Sequence, residues 1–205
     1  MARQAPVRPV NQAIARQRAH LARELVETLL LVGLIFVIVH FTIQTFSASG
    51  DTGMGKTLLP NQLVLVNTKA YIFGGPGRGD VVVLTTDPSN PKATIARRVI
   101  GVPGDTISVS ATAIIVNGVT LHESFVDIPA GFAQNSTLRA PLTLKDGQYF
   151  VLADSRIGTD SSDSRALGPV PQSDIIGKAV MVFWPFSQFH WIDTHSGDYS
   201  NIKNP

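Results

Sequence analysis

The run from Val26 to Phe46, VETLLLVGLIFVIVHFTIQTF, constrains this chain more than any other feature, because it carries no charge after Glu27. As a helix its 21 residues would rise about 31 Å, the depth of a bilayer's hydrocarbon core. A helix buried in a soluble domain is seldom apolar on every side, and this one would be. A cleavable leader has a shorter apolar core followed by a small-x-small site, which Ser47-Ala48-Ser49 only imitates. The run is therefore expected to be an uncleaved membrane helix.

Arg3, Arg8, Arg16, Arg18 and Arg23 all precede this span. The positive-inside rule then keeps residues 1–25 as a basic cytoplasmic arm and puts the rest of the chain outside. The whole sequence has 17 basic and 15 acidic residues. Beyond Glu27 the balance is close to neutral, so the basic character belongs to the arm and nothing marks a nucleic-acid-binding face. The arm itself reads as a topology signal, in reach of anionic headgroups.

The chain has no cysteine, which excludes disulfides and thiolate metal sites. Its histidines, His20, His40, His122, His190 and His195, show no metal-ligand spacing, and neither a metal nor a cofactor is expected. His40 lies near the outer end of the span, where a neutral ring reaches the interface.

Past Phe46 the sequence turns into short β-rich runs cut by turn residues. Residues 63–66, 81–84, 94–101, 106–110, 148–152 and 175–184 read as strands. Asn117-Gly118 between residues 114–116 and 119–121 signals a tight hairpin, since both residues tolerate positive φ. Val102-Pro103-Gly104-Asp105 reads as a turn with Pro at its second position and Gly at its third. Residues 123–140 are loop-rich, and no repeat is visible. Phe183-Trp184-Pro185-Phe186, Phe189, Trp191 and Ile192 form an aromatic stretch that suits either core packing or insertion into the outer leaflet. The organisation expected is a mainly β extracytoplasmic domain over 47–192 and a tail over 193–205.

One motif misleads. Residues 50–57, GDTGMGKT, fit G-x-x-x-x-G-K-[ST] letter for letter, the pattern of a phosphate-binding loop. Such a loop follows a buried strand and opens a helix. Here a membrane span precedes it, and Pro60 follows where the helix should be established. Nucleotide binding is the least supported reading.

The same residues fit another pattern, in order, through nearly all of the outer region. Met54-Gly55-Lys56-Thr57-Leu58 behind an anchor, Arg78-Gly79-Asp80-Val81, Arg97-Arg98-Val99-Ile100-Gly101-Val102-Pro103-Gly104-Asp105 and Val116-Asn117-Gly118 come first. Asp154-Ser155-Arg156 and Ser161-Ser162-Asp163-Ser164-Arg165 follow, with Gly168 and Gly177-Lys178-Ala179 in register. Together these blocks resemble the signal peptidase I family. The resemblance implies a membrane helix, an antiparallel β domain, and preproteins or their signal peptides as partners at the membrane.

That family's chemistry rests on a serine nucleophile and a lysine base. A lysine serves as base only when burial lowers its pKa. By the resemblance the serine position falls on Gly53, which has no side chain. The lysine position falls on Arg97, whose guanidinium stays charged at any physiological pH. The resemblance thus implies a preserved scaffold without its dyad: a protein that binds signal-peptide regions, in partnership with an active paralogue. Met54, Arg98, Asp154, Asp163 and Arg165 match supporting positions, and Ser161 matches the serine that orients the family's lysine. The alternative is an active peptidase with a relocated nucleophile, Thr52 or Ser49, and Lys56 as base. Two departures from the pattern stand out: Ala153 replaces a glycine, and residues 157–160 lengthen the loop by about two residues, a tolerable insertion.

Overall fold

The computed structural model describes residues 10–48, 53–90, 93–126, 138, 140–156 and 162–205, with backbone alone for 10–16. The chain divides after Thr42 into two compact units.

The first unit is one helix, α1 (Val10–Thr42). Its segment Gln17–Thr42 is long and apolar enough to cross a membrane, and none of its apolar window is buried against protein. The helix differs from the expected span at both ends. It starts 16 residues earlier than Val26, because Val10–Leu25 holds no Gly or Pro and is rich in Ala, Gln, Arg and Leu, all good helix formers. It stops at Thr42, since Ile43–Phe46 is drawn into a strand whose β-branched and aromatic residues favour that geometry.

The second unit, from Ile43, is mainly antiparallel β. Its elements in chain order are β1 (Ile43–Ser47), β2 (Leu63–Asn67), β3 (Val81–Thr85), β4 (Thr94–Gly101), β5 (Thr106–Val109), β6 (Ile114–Val116), β7 (Val119–Thr120), β8 (Leu142–Thr143), β9 (Gln148–Leu152), α2 (Ser164–Leu167), β10 (Val170–Pro171), β11 (Ile175–Trp184) and β12 (His190–Trp191). Among the described residues the larger sheet runs β1-β2-β11-β3-β4-β9-β10, with β12 also on β11. The smaller sheet runs β7-β6-β5-β8.

β11 joins the halves of the larger sheet. It pairs with β2 from Lys178↔Asn67 to Trp184↔Leu63, and with β3 from Ile175↔Leu84 to Lys178↔Val82. Gly177 permits this crossing, since a Cβ there would lie 2.5 Å from the Asn67 carbonyl oxygen. The turn residues behave as their chemistry demands. Asn117 and Gly118 take φ of 52° and 80° in the β6–β7 hairpin. Gly104 takes φ of 87° in a turn closed by Asp105 N–H donating to Val102 O at 3.0 Å.

One core cluster packs Ile100, Ile107, Val116, Leu144, Phe150 and Leu152 between the sheets. Tyr199 and Ile202 complete it. The segment expected as a tail is thus part of the domain: its two apolar residues, three apart across a short turn, close an otherwise open core. The aromatic stretch divides too. Ile192 packs against the buried cluster of Val64, Val66 and Val182, whereas Trp184, Phe186, Phe189 and Trp191 keep large exposed surfaces.

Candidate active site

Two charged networks tie the sequence blocks together. In the first, the Arg78 guanidinium donates to both oxygens of buried Asp105, at 2.6 and 2.8 Å. Asp105 also accepts from Val102 N–H at 2.8 Å and from the Asn117 amide at 2.7 Å. Three separate blocks therefore meet on one carboxylate. Beside them Asp80 accepts from Lys178 Nζ at 2.5 Å and from the Tyr71 hydroxyl at 3.0 Å. Burial and that carboxylate push the Tyr71 hydroxyl far above the ordinary tyrosine range.

The second network underlies the candidate site. Arg98, with no exposed side-chain surface, forms a two-pronged pair with Asp154 through Nε at 2.9 Å and Nη2 at 2.7 Å. Its Nη1 donates to the carbonyls of Gly79 and Asp193, at 2.8 and 2.9 Å. The Phe125 ring centroid lies 4.1 Å from its central carbon. Thr57 completes the group, its hydroxyl donating to Asp154 at 2.5 Å. Burial opposes the charge on Arg98, but Asp154 outweighs it and the guanidinium pKa rises. Asp163 takes a similar role over the short helix α2: it caps Arg165 N–H at 3.0 Å and accepts the Arg165 guanidinium at 2.7 Å.

Over this support lie the two positions where chemistry is expected. Gly53 has φ of 65° and its carbonyl accepts from Ser155 N–H at 2.8 Å; Met54 beside it is fully buried. Ser49, Thr52 and Ser161 lie outside the described residues. Arg97 is 2% exposed. Its Nε donates to the Ser162 carbonyl at 3.0 Å, one residue from the serine expected to face it, and its Nη1 to the Ala96 carbonyl at 2.6 Å.

The ladder shows what that second bond does. Thr86 N–H donates to Ala93 O, and Val99 N–H to Asp80 O. Hydrogen-bonded pairs alternate in an antiparallel ladder, so residues 93, 95, 97 and 99 bond to β3 while the backbone of Thr94, Ala96 and Arg98 points the other way. On that side β9 pairs only with Arg98–Gly101. Among the described residues no strand pairs with Thr94–Ala96 on that side, and the Arg97 side chain takes the Ala96 carbonyl there. A small cavity of about 150 Å³ lies against this region, lined by Gln44, Thr45, Phe46, Val66, Val83, Thr94 and Ile176.

Lys56 is exposed and lies on a different cavity of about 430 Å³, with His190, Trp191, Asp193 and His195. Ser124, His195 and Asp193 have the composition of a catalytic triad on that cavity without its geometry. The same ring nitrogen, His195 Nδ1, faces Ser124 Oγ at 3.4 Å and Asp193 Oδ2 at 3.8 Å. The Ser124 hydroxyl donates to Asp198 at 2.9 Å instead. A relay needs two ring nitrogens, one for each partner. Residues 53–62 form turns leading into β2, with no helix after Thr57 and no phosphate-loop geometry among the described residues.

Sequence reasoning missed Glu123 and Tyr199 and gave Arg156 no role beyond its block; all three join this buried group. Arg156 Nη2 donates to Glu123 at 2.5 Å. Burial pushes the Glu123 carboxyl up, and Arg156 and Arg98 offset this only in part.

A helix long and apolar enough to cross a membrane thus leads into an antiparallel β domain that holds buried Arg–Asp pairs. The chain matches the family of signal peptidases, peptidase S26, over residues 21–184, and it belongs to that family. Signal peptidase IB of Staphylococcus aureus is 31% identical over 199 residues, covering 89% of this chain and 99% of the relative. Signal peptidase I of Leptolyngbya laminosa is 32% identical over 191 residues, covering 88% and 89%. The crystal structure of a signal peptidase I from Enterococcus faecalis is 29% identical and covers 50% of this chain and 95% of its own, with a TM-score of 0.42.

Proposed function

We propose that this protein binds the signal-peptide region of exported preproteins at the outer membrane surface and does not cleave it by a Ser–Lys mechanism. The observation that carries this reading is Arg97. A general base must lose its proton, and a guanidinium does not do so at physiological pH. Arg97 instead spends two donors on the carbonyls of Ser162 and Ala96. At the partner position Gly53 offers no nucleophile. The scaffold around these positions remains, with Arg98–Asp154 and Asp163–Arg165 closed. An extended peptide adds to an open strand edge through backbone hydrogen bonds, which need no catalytic residue. The Thr94–Ala96 edge and the cavity beside Phe46 and Ile176 suit such a peptide. The arginines before the span favour a cytoplasmic N-terminus, and a protein that binds without cutting fits alongside an active paralogue.

The test is paired. Purified full-length protein in detergent is mixed with a model preprotein, and binding and cleavage are both read. Binding without cleavage is expected; absence of binding by folded protein sinks the proposal. The rival reading, cleavage by Thr52 or Ser49 with Lys56 as base, rests on Lys56 facing a 430 Å³ cavity. Exposure weighs against it, because a lysine base needs a desolvated ammonium. Cleavage lost on Lys56→Ala, at an unchanged Tm, would support it.

A further inference from the structure

A second cavity, of about 420 Å³, opens on the other side of the segment Ser124–Val126. Its walls come from the start of β6 (Ala113, Ile114), the segment after β7 (Leu121, Glu123, Val126) and Arg156. The volume falls in the range of sites that hold small ligands, roughly 300–1,000 Å³. Ile114, Leu121 and Val126 give it apolar surface, while Thr112, His122, Ser124 and the Arg156 guanidinium, which has no exposed surface, give it polar surface.

Arg156 is only partly satisfied. Nη2 bonds Glu123, while Nε and Nη1 are buried without a hydrogen-bond partner. The hydroxyl of Tyr199, which faces the same charged cluster, is also buried without one. A buried donor left unbonded costs about 1–3 kcal/mol, more when charged, so folded proteins seldom keep several in one place. Both orphaned Arg156 nitrogens are donors, and the side chain that carries them lines the cavity.

We propose that this cavity is a binding site for a monocarboxylate, its oxygens on Arg156 and its small apolar group against Ile114, Leu121 and Val126. Charge selects a single anion. Arg98 is already paired with Asp154, so Arg156 is left to answer one negative charge, and a second would stand unpaired in a low dielectric. A neutral acceptor would leave the guanidinium's charge unanswered, because Glu123 holds its own charge poorly in this burial. Two sources share the chemistry, a free short-chain acid and the α-carboxylate at the end of a peptide. The site is separate from the strand edge beside Arg97 and does not depend on peptide binding there.

The experiment titrates detergent-solubilised full-length protein with isovalerate, isovaleramide, N-acetyl-valine and N-acetyl-valinamide, read by calorimetry and Tm. The proposal expects each acid to bind at least tenfold more tightly than its amide. Isovalerate binding alone assigns a free acid, and N-acetyl-valine as the tighter ligand assigns a peptide end. Ala113→Phe, which fills the cavity from its rim, should abolish the binding with Tm nearly kept. Arg156→Lys, which keeps the charge but not the two donors, should weaken it at least tenfold. No binding by either acid at millimolar concentration, equal binding of acid and amide, or binding that survives Ala113→Phe would each overturn the proposal. The acid-to-amide comparison uses the natural protein alone, so it stands even where a variant misfolds.

Discussion

Arg97→Met should strengthen peptide binding. Methionine keeps much of the length and apolar stem of Arg97 but removes the Nη1 that holds the Ala96 carbonyl at 2.6 Å. That carbonyl lies on the strand edge beyond the described pairing with β9. An incoming extended peptide would donate a backbone N–H to it, and in the natural protein it must first displace the guanidinium. One such hydrogen bond contributes a net 0.5–1.5 kcal/mol, so the dissociation constant should fall by about two- to twelvefold. Fluorescence anisotropy with a labelled signal-peptide segment would measure it, with Tm recorded to check folding. An unchanged or weaker affinity at equal Tm refutes the argument that Arg97 masks the edge. A gain restricted to peptides with a free N–H at the facing position would confirm its geometry, so N-methylation there should erase the gain.

Asp154→Ala should lower Tm by about 6–20 °C, because stranding a buried guanidinium costs about 3–5 kcal/mol and a domain of this size shifts by about 2–4 °C per kcal/mol. The paired change Arg98→Met with Asp154→Leu should recover most of that loss; recovery of none would show that the backbone bonds of Arg98 dominate. Burial holds the Glu123 carboxyl above its ordinary 4.5, so the folded chain keeps this proton more tightly than the unfolded one. That contribution is fully present below the ordinary value and is lost as pH rises through the raised one. Glu123→Gln should therefore gain Tm relative to the natural protein as pH rises above the ordinary carboxyl value, and a parallel pair of melting curves would contradict the burial argument. Gly79→Ala should prevent stable folding, since its φ is 88° and a Cβ would lie 2.0 Å from the Thr194 carbonyl oxygen. Circular dichroism of the purified variant would decide it.

Turns and strands were legible in the sequence because their signals are local. Asn117-Gly118 and Pro103-Gly104 sit where their φ preferences put them, and β4, β9 and β11 match the expected runs. The boundary at Thr42 was not legible, since apolar Ile43–Phe46 suits a membrane helix and a strand alike, and only the pairing with β2 chooses between them. Tyr199 and Ile202 looked like a tail because the core they close is made by residues about 50 to 100 positions earlier, and loop closure at that distance leaves no periodic trace. In the site, the family resemblance singled out Arg98, Asp154, Asp163 and Arg165, and the structure joins them as Arg98–Asp154 and Asp163–Arg165. The Glu123–Arg156 pair was not legible, because nothing local links Glu123 to a residue 33 positions on, and a charge in a loop-rich stretch reads as solvated until its burial is seen.

Cleavage of a model preprotein by the full-length protein tests the central claim most directly, run beside the double variant Gly53→Ser, Arg97→Lys. The serine would sit at a φ of 65°, which costs about 1–2 kcal/mol, so the assay belongs well below the variant's Tm. The account predicts an inert natural protein and a variant that cuts, with its new lysine beneath the new hydroxyl on an unchanged scaffold. Cleavage by the natural protein at a rate comparable to the variant's would contradict it, and would move the search for the nucleophile to Thr52 and Ser49.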